Sequence, residues 1–383
     1  MDRKKPLKLG WLLPYSSTFR SLKHDLQHGL QTALRQEGCE TFVEAYPEFI
    51  ATGSQKPAEE ALKKLVRYEQ VDLVAGVLSS KVALNLLPTL ETGRVPLIFM
   101  NLGADIPVTT LRSGLLFYNS LHLWKSQWSL GKWAQARFGG EPSVNMSLYE
   151  SGYGMHESFK AGIAASGAST LKLNLVREQS AIADITPLIT YIIDQRPSYA
   201  HVLLSGGEGV QFLHAFHKAG LDAVVPLTTS PFLTTPAEHN DLPAAPPLYS
   251  AATWYPGLKA PSNQVFHDAY TEYTGEIPNA FSLLAFETGL VLANILRQCP
   301  RKPSGKELAE LLRHTEVTGP RGMISLGTDP LKTDKPVYIW SSTPSTEKTD
   351  IDVLEKCSGV EWNEPALTTD NYITGWQNPY LCA

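Results

Sequence analysis

The chain has few of the features that announce chemistry. Its four cysteines, Cys39, Cys299, Cys357 and Cys382, are spread over 383 residues without a C-x-x-C pair, which excludes a zinc ribbon or a thioredoxin-like redox site. The 33 lysines and arginines are dispersed and outnumbered by 38 acids, for a formal net charge of −5. A dedicated nucleic-acid binder needs a basic patch for phosphates, so no nucleic acid is expected as a partner. No clean apolar run is long enough for a membrane span. The longest, Ala280 to Leu296, is interrupted by Glu287 and Asn294 and reads as a buried amphipathic helix. There is no G-x-S-x-G elbow, no P-loop and no glycine-rich dinucleotide fingerprint after the first strand. The pairs His24/His28 and His214/His217 share helix faces without a third ligand, and His156-Glu157 lacks the second histidine of a zinc protease motif. The expectation is a protein that is no enzyme and carries no metal and no cofactor.

What is present is ordinary globular material, 43% hydrophobic and 19% charged, in a chain long enough for two domains. Its distinctive feature is a repeated strand–turn–helix unit. Asp72–Leu78 is an apolar strand that turns at Ser79-Ser80 into a helix opening at Lys81. Val144–Tyr149 is a second, turning at Glu150–Gly154 into a helix near Met155. Each unit puts hydroxyls and backbone N–H groups at the carboxyl end of a parallel strand, where open α/β sheets bind ligands. Two such edges imply two lobes facing each other across a cleft.

Around these units the pattern predicts further strands at Leu7–Pro14, Thr41–Tyr46, Pro96–Asn101, Leu116–Tyr118, Leu171–Val176, His201–Leu204, Val224–Thr228 and Leu248–Trp254. Helical periodicity falls between them, as in Leu22, Leu26, Leu30 and Leu34. Repeated alternation of this kind implies parallel sheets covered by helices on both faces. Beyond Thr343 the chain has no clear period and is expected to wrap a lobe surface, with Trp362 and Trp376 as anchors. Cys357 and Cys382 lie in this tail, where an exported setting would permit a bridge between them.

Four local patterns carry a resemblance. They are the opening strand running into the Pro14–Thr18 turn; Ala75-Gly76-Val77-Leu78-Ser79-Ser80 with Val95-Pro96-Leu97-Ile98 a helix later; Leu148-Tyr149-Glu150-Ser151-Gly152-Tyr153-Gly154; and Lys218-Ala219-Gly220-Leu221 with Thr318–Leu326 near the end. In this order the chain, to about Trp340, resembles the type I periplasmic solute-binding family, specifically the leucine/isoleucine/valine-binding proteins of ABC transporters. The resemblance implies an α/β fold of two doubly wound parallel-sheet lobes joined by a three-stranded hinge and closing over ligand. Lobe 1 is then residues 6–120 and 252–328, lobe 2 residues 121–251 and 329–345, and 346–383 an irregular tail packed on a lobe. The hinge crossings fall near Asn119–Leu121, Ser250–Trp254 and Gly327–Asp329.

The same resemblance implies an extracytoplasmic substrate-binding subunit that carries a small amino acid, carboxylate or amide to an ABC permease. A cytoplasmic ligand sensor of the same fold, regulating a partner protein, is the alternative. Met1–Lys5 leads straight into the first strand. A periplasmic or lipid-anchored extracellular protein follows if Met1 stands in for a signal, a cytoplasmic one if Met1 is the native start. The implied ligand-binding residues are Ser17, Ser79, Ser80, Asn101, Leu102, Gly103, Tyr153, Gly206, Ser230 and Trp254. Five of them also have a plain reading: helix capping for Ser79 and Ser80, turn formation for Asn101, an exposed loop for Tyr153 and hinge packing for Trp254. Where the family commonly supplies a carboxylate for the ligand's ammonium, this chain has Thr228-Thr229-Ser230-Pro231-Phe232, with Glu150 the nearby acid. An ordinary aliphatic amino acid is therefore expected to bind less well than a carboxylate or amide without an ammonium group.

Overall fold

The apolar run that opens the chain lies inside a sheet. In the computed structural model, β1 (Leu7–Leu13) pairs in parallel with β2 (Val43–Phe49) on one side and β3 (Leu73–Val77) on the other. β4 (Leu97–Asn101) and β5 (Leu116–Ser120) extend it to five parallel strands in the order β2-β1-β3-β4-β5. Strands covered on both faces need apolar residues throughout, and β3, β4 and β5 are buried at every position. Helices α1 (Leu22–Gln36), α2 (Gln55–Lys64), α3 (Ser80–Asn85) and α4 (Leu87–Gly93) make the connections. The structure describes residues 5–106, 113–167, 171–176, 178–179, 182–233, 247–299, 301–327, 334–343, 350–357 and 376–381.

The chain then builds a second sheet. α5 (Leu123–Phe138) leads to β6 (Ser143–Ser147), which stops two residues short of the expected Tyr149. There Ser147 caps a single helical turn, α6 (Leu148–Ser151), its Oγ accepting from the Glu150 N–H at 3.4 Å. α7 (Met155–Ala165), β7 (Lys172–Val176), a short hairpin of β8 (Glu178–Gln179) and β9 (Ile182–Ala183), α8 (Thr186–Gln195), β10 (Ala200–Leu203), α9 (Gly207–Lys218), β11 (Leu227–Thr229) and β12 (Leu248–Ala252) follow. Strands β7, β6, β10, β11 and β12 are parallel in that order. α5 and α7 touch backbone to backbone, because a Cβ on Gly162 would stand 2.0 Å from the Trp128 carbonyl oxygen and one on Gly131 2.2 Å from that of Phe159.

The return to the first sheet brings α10 (Pro261–Thr274), α11 (Ala280–Gln298) and α12 (Gly305–His314), with the hairpin β13 (Glu316–Gly319) and β14 (Gly322–Ser325). α11 is long and apolar enough to cross a membrane by length and composition, but it is mostly buried inside the protein, as its interrupted apolar run predicts. It packs on α1 so closely that a Cβ on Gly29 would stand 2.2 Å from the Ser282 carbonyl oxygen. β15 (Val337–Thr343) then joins the second sheet antiparallel to β12. The stretch beyond residue 346, expected to be irregular, contains an eight-residue strand, β16 (Asp350–Cys357), antiparallel to β15. The second sheet thus has seven strands, β16-β15-β12-β11-β10-β6-β7.

The passages between the sheets are tied by one buried ion pair. Arg321 reaches the Glu287 carboxylate with both Nε (2.8 Å) and Nη2 (2.7 Å). Its remaining donors go to the Ser120 carbonyl (2.6 Å), the Asn119 side-chain oxygen (2.9 Å) and Thr253 Oγ1 (3.1 Å). Thr253 in turn donates to the Leu121 carbonyl at 2.8 Å. Burial alone would push the Glu287 carboxyl up; the Arg321 charge and hydrogen bonds outweigh it and hold the group below the ordinary carboxylate value. Of the three expected crossings, those near 119–121 and 250–254 meet in this network, while Asp329 of the third lies outside the described residues.

Candidate functional site

The turns after the strands of both sheets meet across a gap. On the first sheet's side, Ser16 follows β1 and is buried, its Oγ accepting from the Phe19 N–H at 2.9 Å. Ser79 follows β3 and caps α3, accepting from the Val82 N–H at 3.2 Å; Ser80 opens that helix, partly exposed. On the second sheet's side, Glu150 and Tyr153 follow β6, Ser205 and Gly206 follow β10, and Ser230 and Phe232 follow β11. Gly206 takes a left-handed φ of +59° where the chain turns into α9, a conformation that favours glycine. Ser230 is buried and holds its own turn, accepting from the Phe232 N–H at 3.3 Å.

The two walls touch. Phe19 meets Phe232 edge to face, with centroids 5.5 Å apart, and the Gly154 N–H donates to Asp105 Oδ1 at 3.1 Å. They are also bridged by the last described residues, Trp376–Leu381. Ser16 Oγ donates to the Leu381 carbonyl at 2.5 Å, Ser79 Oγ to that of Gln377, and the Tyr153 hydroxyl to that of Pro379 at 3.3 Å. The Tyr380 hydroxyl donates to Glu150 Oε1 at 3.0 Å and lies 2.9 Å from Ser205 Oγ, which donates to the same oxygen. The Tyr380 ring stands T-shaped to Tyr153 at 5.0 Å. Trp376 donates from its indole to the Tyr149 carbonyl at 2.8 Å and stacks on that ring. Of the tail, expected on a lobe surface, residues 376–381 therefore lie against both walls. Trp376 is an anchor, as expected; Trp362 lies outside the described residues.

Charge in the gap is muted. Glu150 is 1% exposed, and burial pushes its carboxyl up to about 7 against the pull of the Ser205 and Tyr380 hydroxyls. Its Oε2 has no hydrogen-bond partner among the described residues. Burial also raises Asp105 to about 7, with the Gly154 N–H opposing. Among the described residues no cluster of three His, Cys, Asp or Glu converges to hold a metal.

Several residues named from the sequence sit elsewhere. Ser17 is exposed; the hydroxyl that turns inward is Ser16, one position earlier. In Tyr15-Ser16-Ser17-Thr18 three hydroxyls stand in a row, and nothing in composition says which points in. Asn101 is an internal brace: its amide donates to the Leu78 carbonyl (3.0 Å) and its oxygen accepts from Tyr118 (2.9 Å) and Ser120 (3.1 Å). Leu102 and Gly103 are occupied by the start of α5, their carbonyls accepting from Leu123 (3.0 Å) and Trp124 (2.8 Å). Gly103 has φ +73°, and a Cβ there would stand 2.5 Å from Ser120 Oγ. Trp254 is hinge packing, not a cleft wall: its indole donates to Asn263 Oδ1 at 2.7 Å and its ring lies by Phe266. Tyr153, by contrast, lines the gap as described and is buried, not an exposed loop residue. Cys357 is a free thiol, its Sγ 3.5 Å from Glu355 Oε1; Cys382, the other half of the bridge considered above, lies outside the described residues. Ser205 and Phe232 are not among the residues the resemblance implies, although Phe232 lies in the Thr228–Phe232 stretch that departs from the family pattern.

Residues 6–342 match the family model described as periplasmic binding protein. The chain is 21% identical over 343 residues to the Leu/Ile/Val-binding protein homolog 6 of Brucella melitensis, covering 87% of this chain and 86% of that protein. In structure it is similar to a solute-binding protein of an ABC transporter from R. palustris in complex with 4-hydroxybenzoate, at 19% identity and a TM-score of 0.76, over 94% of this chain and 99% of that one. It is similar as well to the branched-chain amino acid transporter substrate-binding protein of Streptococcus pneumoniae in complex with isoleucine, at 16% identity and a TM-score of 0.72, over 91% and 100%.

Proposed function

This chain belongs to the periplasmic binding protein family, and from that premise we propose that it is the solute-capturing subunit of an ABC transporter, working outside the cytoplasm and presenting its ligand to a permease. The observation that carries this reading is the convergence of the turns after the parallel strands β1, β3, β6, β10 and β11 on one gap between the two sheets. Ser16 and Ser79 stand there as hydroxyl donors, which suits a carboxylate or amide oxygen. A buried ammonium is poorly served. Thr228, Thr229 and Ser230 bring no carboxylate, and Glu150, raised to about 7, is a weak counter-charge. The aromatic side chains Tyr149, Tyr153 and Phe232 favour an aromatic carboxylate, the class seen in the R. palustris neighbour, over an aliphatic amino acid.

Isothermal titration with 4-hydroxybenzoate, benzoate, leucine and 4-methyl-2-oxopentanoate tests the reading. A missing charge-assisted bond to an ammonium costs about 1.5–3 kcal/mol, so leucine should bind at least about tenfold more weakly than its oxo acid. Tight leucine binding with a silent oxo acid would sink the argument about ligand charge.

A further inference from the structure

We propose that Trp376–Leu381 is an internal occupant of the ligand cleft, holding the place of a phenol-bearing carboxylate that binds by displacing it. The inference rests on the reading of this gap as a solute site. The contacts are those a ligand would use. The hydroxyls of Ser16 and Ser79, at the carboxyl ends of β1 and β3, donate to carbonyl oxygens of the tail where they would otherwise meet a ligand oxygen. On the opposite wall, Glu150 and Ser205 hold a phenol, the Tyr380 hydroxyl, whose ring is packed by Tyr153 and Phe232. Pro379, Tyr380 and Leu381 are buried, Tyr380 at 3% exposure, while Gln377 is exposed and Trp376 and Asn378 half-buried, so the segment enters from the surface and its last three described residues are interior.

Both walls are cut to admit the tail. A Cβ on Gly152 would stand 1.8 Å from the Trp376 indole nitrogen, and one on Gly53 2.8 Å from the Pro379 ring. At the same time Trp376–Leu381 leave part of the site unused, since the buried Glu150 Oε2 has no partner among the described residues. A second hydroxyl on an aromatic ring, or a water carried with the solute, has a partner waiting there, an acceptor when the carboxyl is ionised and an O–H donor when it is neutral. An occupant docked about nine-tenths of the time lowers the apparent affinity of a competing solute about tenfold, because only the open fraction can bind.

Amide exchange read by mass spectrometry on the full chain, with and without 4-hydroxybenzoate, is the direct test. Residues 376–381 should be protected in the ligand-free protein and should lose that protection at saturation. Two variants probe the competition. Tyr380→Ala removes the phenol, and Gly152→Ala leaves the tail sequence intact while placing a methyl group against Trp376; the backbone at 152 is right-handed helical, which alanine adopts freely. Each should bind 4-hydroxybenzoate about tenfold or more tightly than the parent chain. An unprotected tail in the ligand-free chain, or protection that survives saturation, overturns the internal occupant. Equal or weaker binding by both variants overturns displacement, since the tail then completes the site or stands apart from it. A protected tail together with no binding of 4-hydroxybenzoate, benzoate or leucine by either variant refutes the solute-capture reading itself, and displacement falls with it.

Discussion

A carboxyl buried away from any cation is more stable neutral than charged, and Glu150 is in that position. Its ordinary value of 4.5 is raised to about 7 by burial, with Glu208 adding to the rise and the Ser205 and Tyr380 hydroxyls opposing it. Between those two values the folded chain holds a proton that the unfolded chain has released. Stability is therefore lost as the pH rises through this window, and the full cost is present above about 7. Glu150→Gln keeps an oxygen for Ser205 and Tyr380 but cannot ionise. It should match the parent below about pH 4.5 and exceed it above pH 7, by up to about 3 kcal/mol. Asp105 titrates in both proteins and cancels. Urea unfolding at pH 4.5 and pH 8 checks this, and a Gln variant no more stable at pH 8 would count against a buried, uncompensated carboxyl. At this scale the sequence was only partly readable. Ser79 was recognisable because capping and cleft contact make the same demand of one residue at a helix start. Ser16 was not separable from Ser17, because which hydroxyl turns inward depends on where β1 ends.

Elements were more legible than residues, for a physical reason. A strand buried on both faces must be apolar along its length, so β3, β4 and β5 stand out as runs. β16 does not: its described side chains are mostly exposed, and its hydrogen-bonding partner is supplied by β15, so neither composition nor period marks it. α6, a single turn, is shorter than any periodicity can reveal. The contact of α5 with α7 was likewise silent, since glycine in a helix reads as a weakness until the neighbouring backbone is seen. Gly162→Ala would push a methyl group into the Trp128 carbonyl, and overpacking of this kind costs about 1–3 kcal/mol. The expected result is an earlier urea transition; an unchanged midpoint would mean that the two helices can move apart without loss.

For the whole molecule the decisive group is Arg321, which the sequence offered only inside a short pattern near the end of the chain. Its partners Asn119, Ser120, Thr253 and Glu287 come from distant segments, and no local rule assembles them. Removing the guanidinium strands Glu287 as a buried charge. Arg321→Ala should therefore cost about 3–5 kcal/mol, while replacing both partners by apolar residues of similar size should recover much of the loss. Denaturation of the single and double variants separates these outcomes. A loss under about 1 kcal/mol in the single variant would show that the passages between the sheets do not depend on the pair.

The contact of α1 with α11 has a consequence for synthesis. The apolar face of α1, including Leu26, Leu30 and Ala33, is complete early, but the helix that covers it begins only at Ala280. At ~5–20 residues per second the ribosome needs on the order of tens of seconds to make the intervening chain. Through that interval the whole second sheet up to β12 is being made, and the nascent chain carries an uncovered greasy stripe near its start. The first domain to begin is thus among the last to close, and its yield in a cell depends on what shields that stripe until residue 298 has emerged.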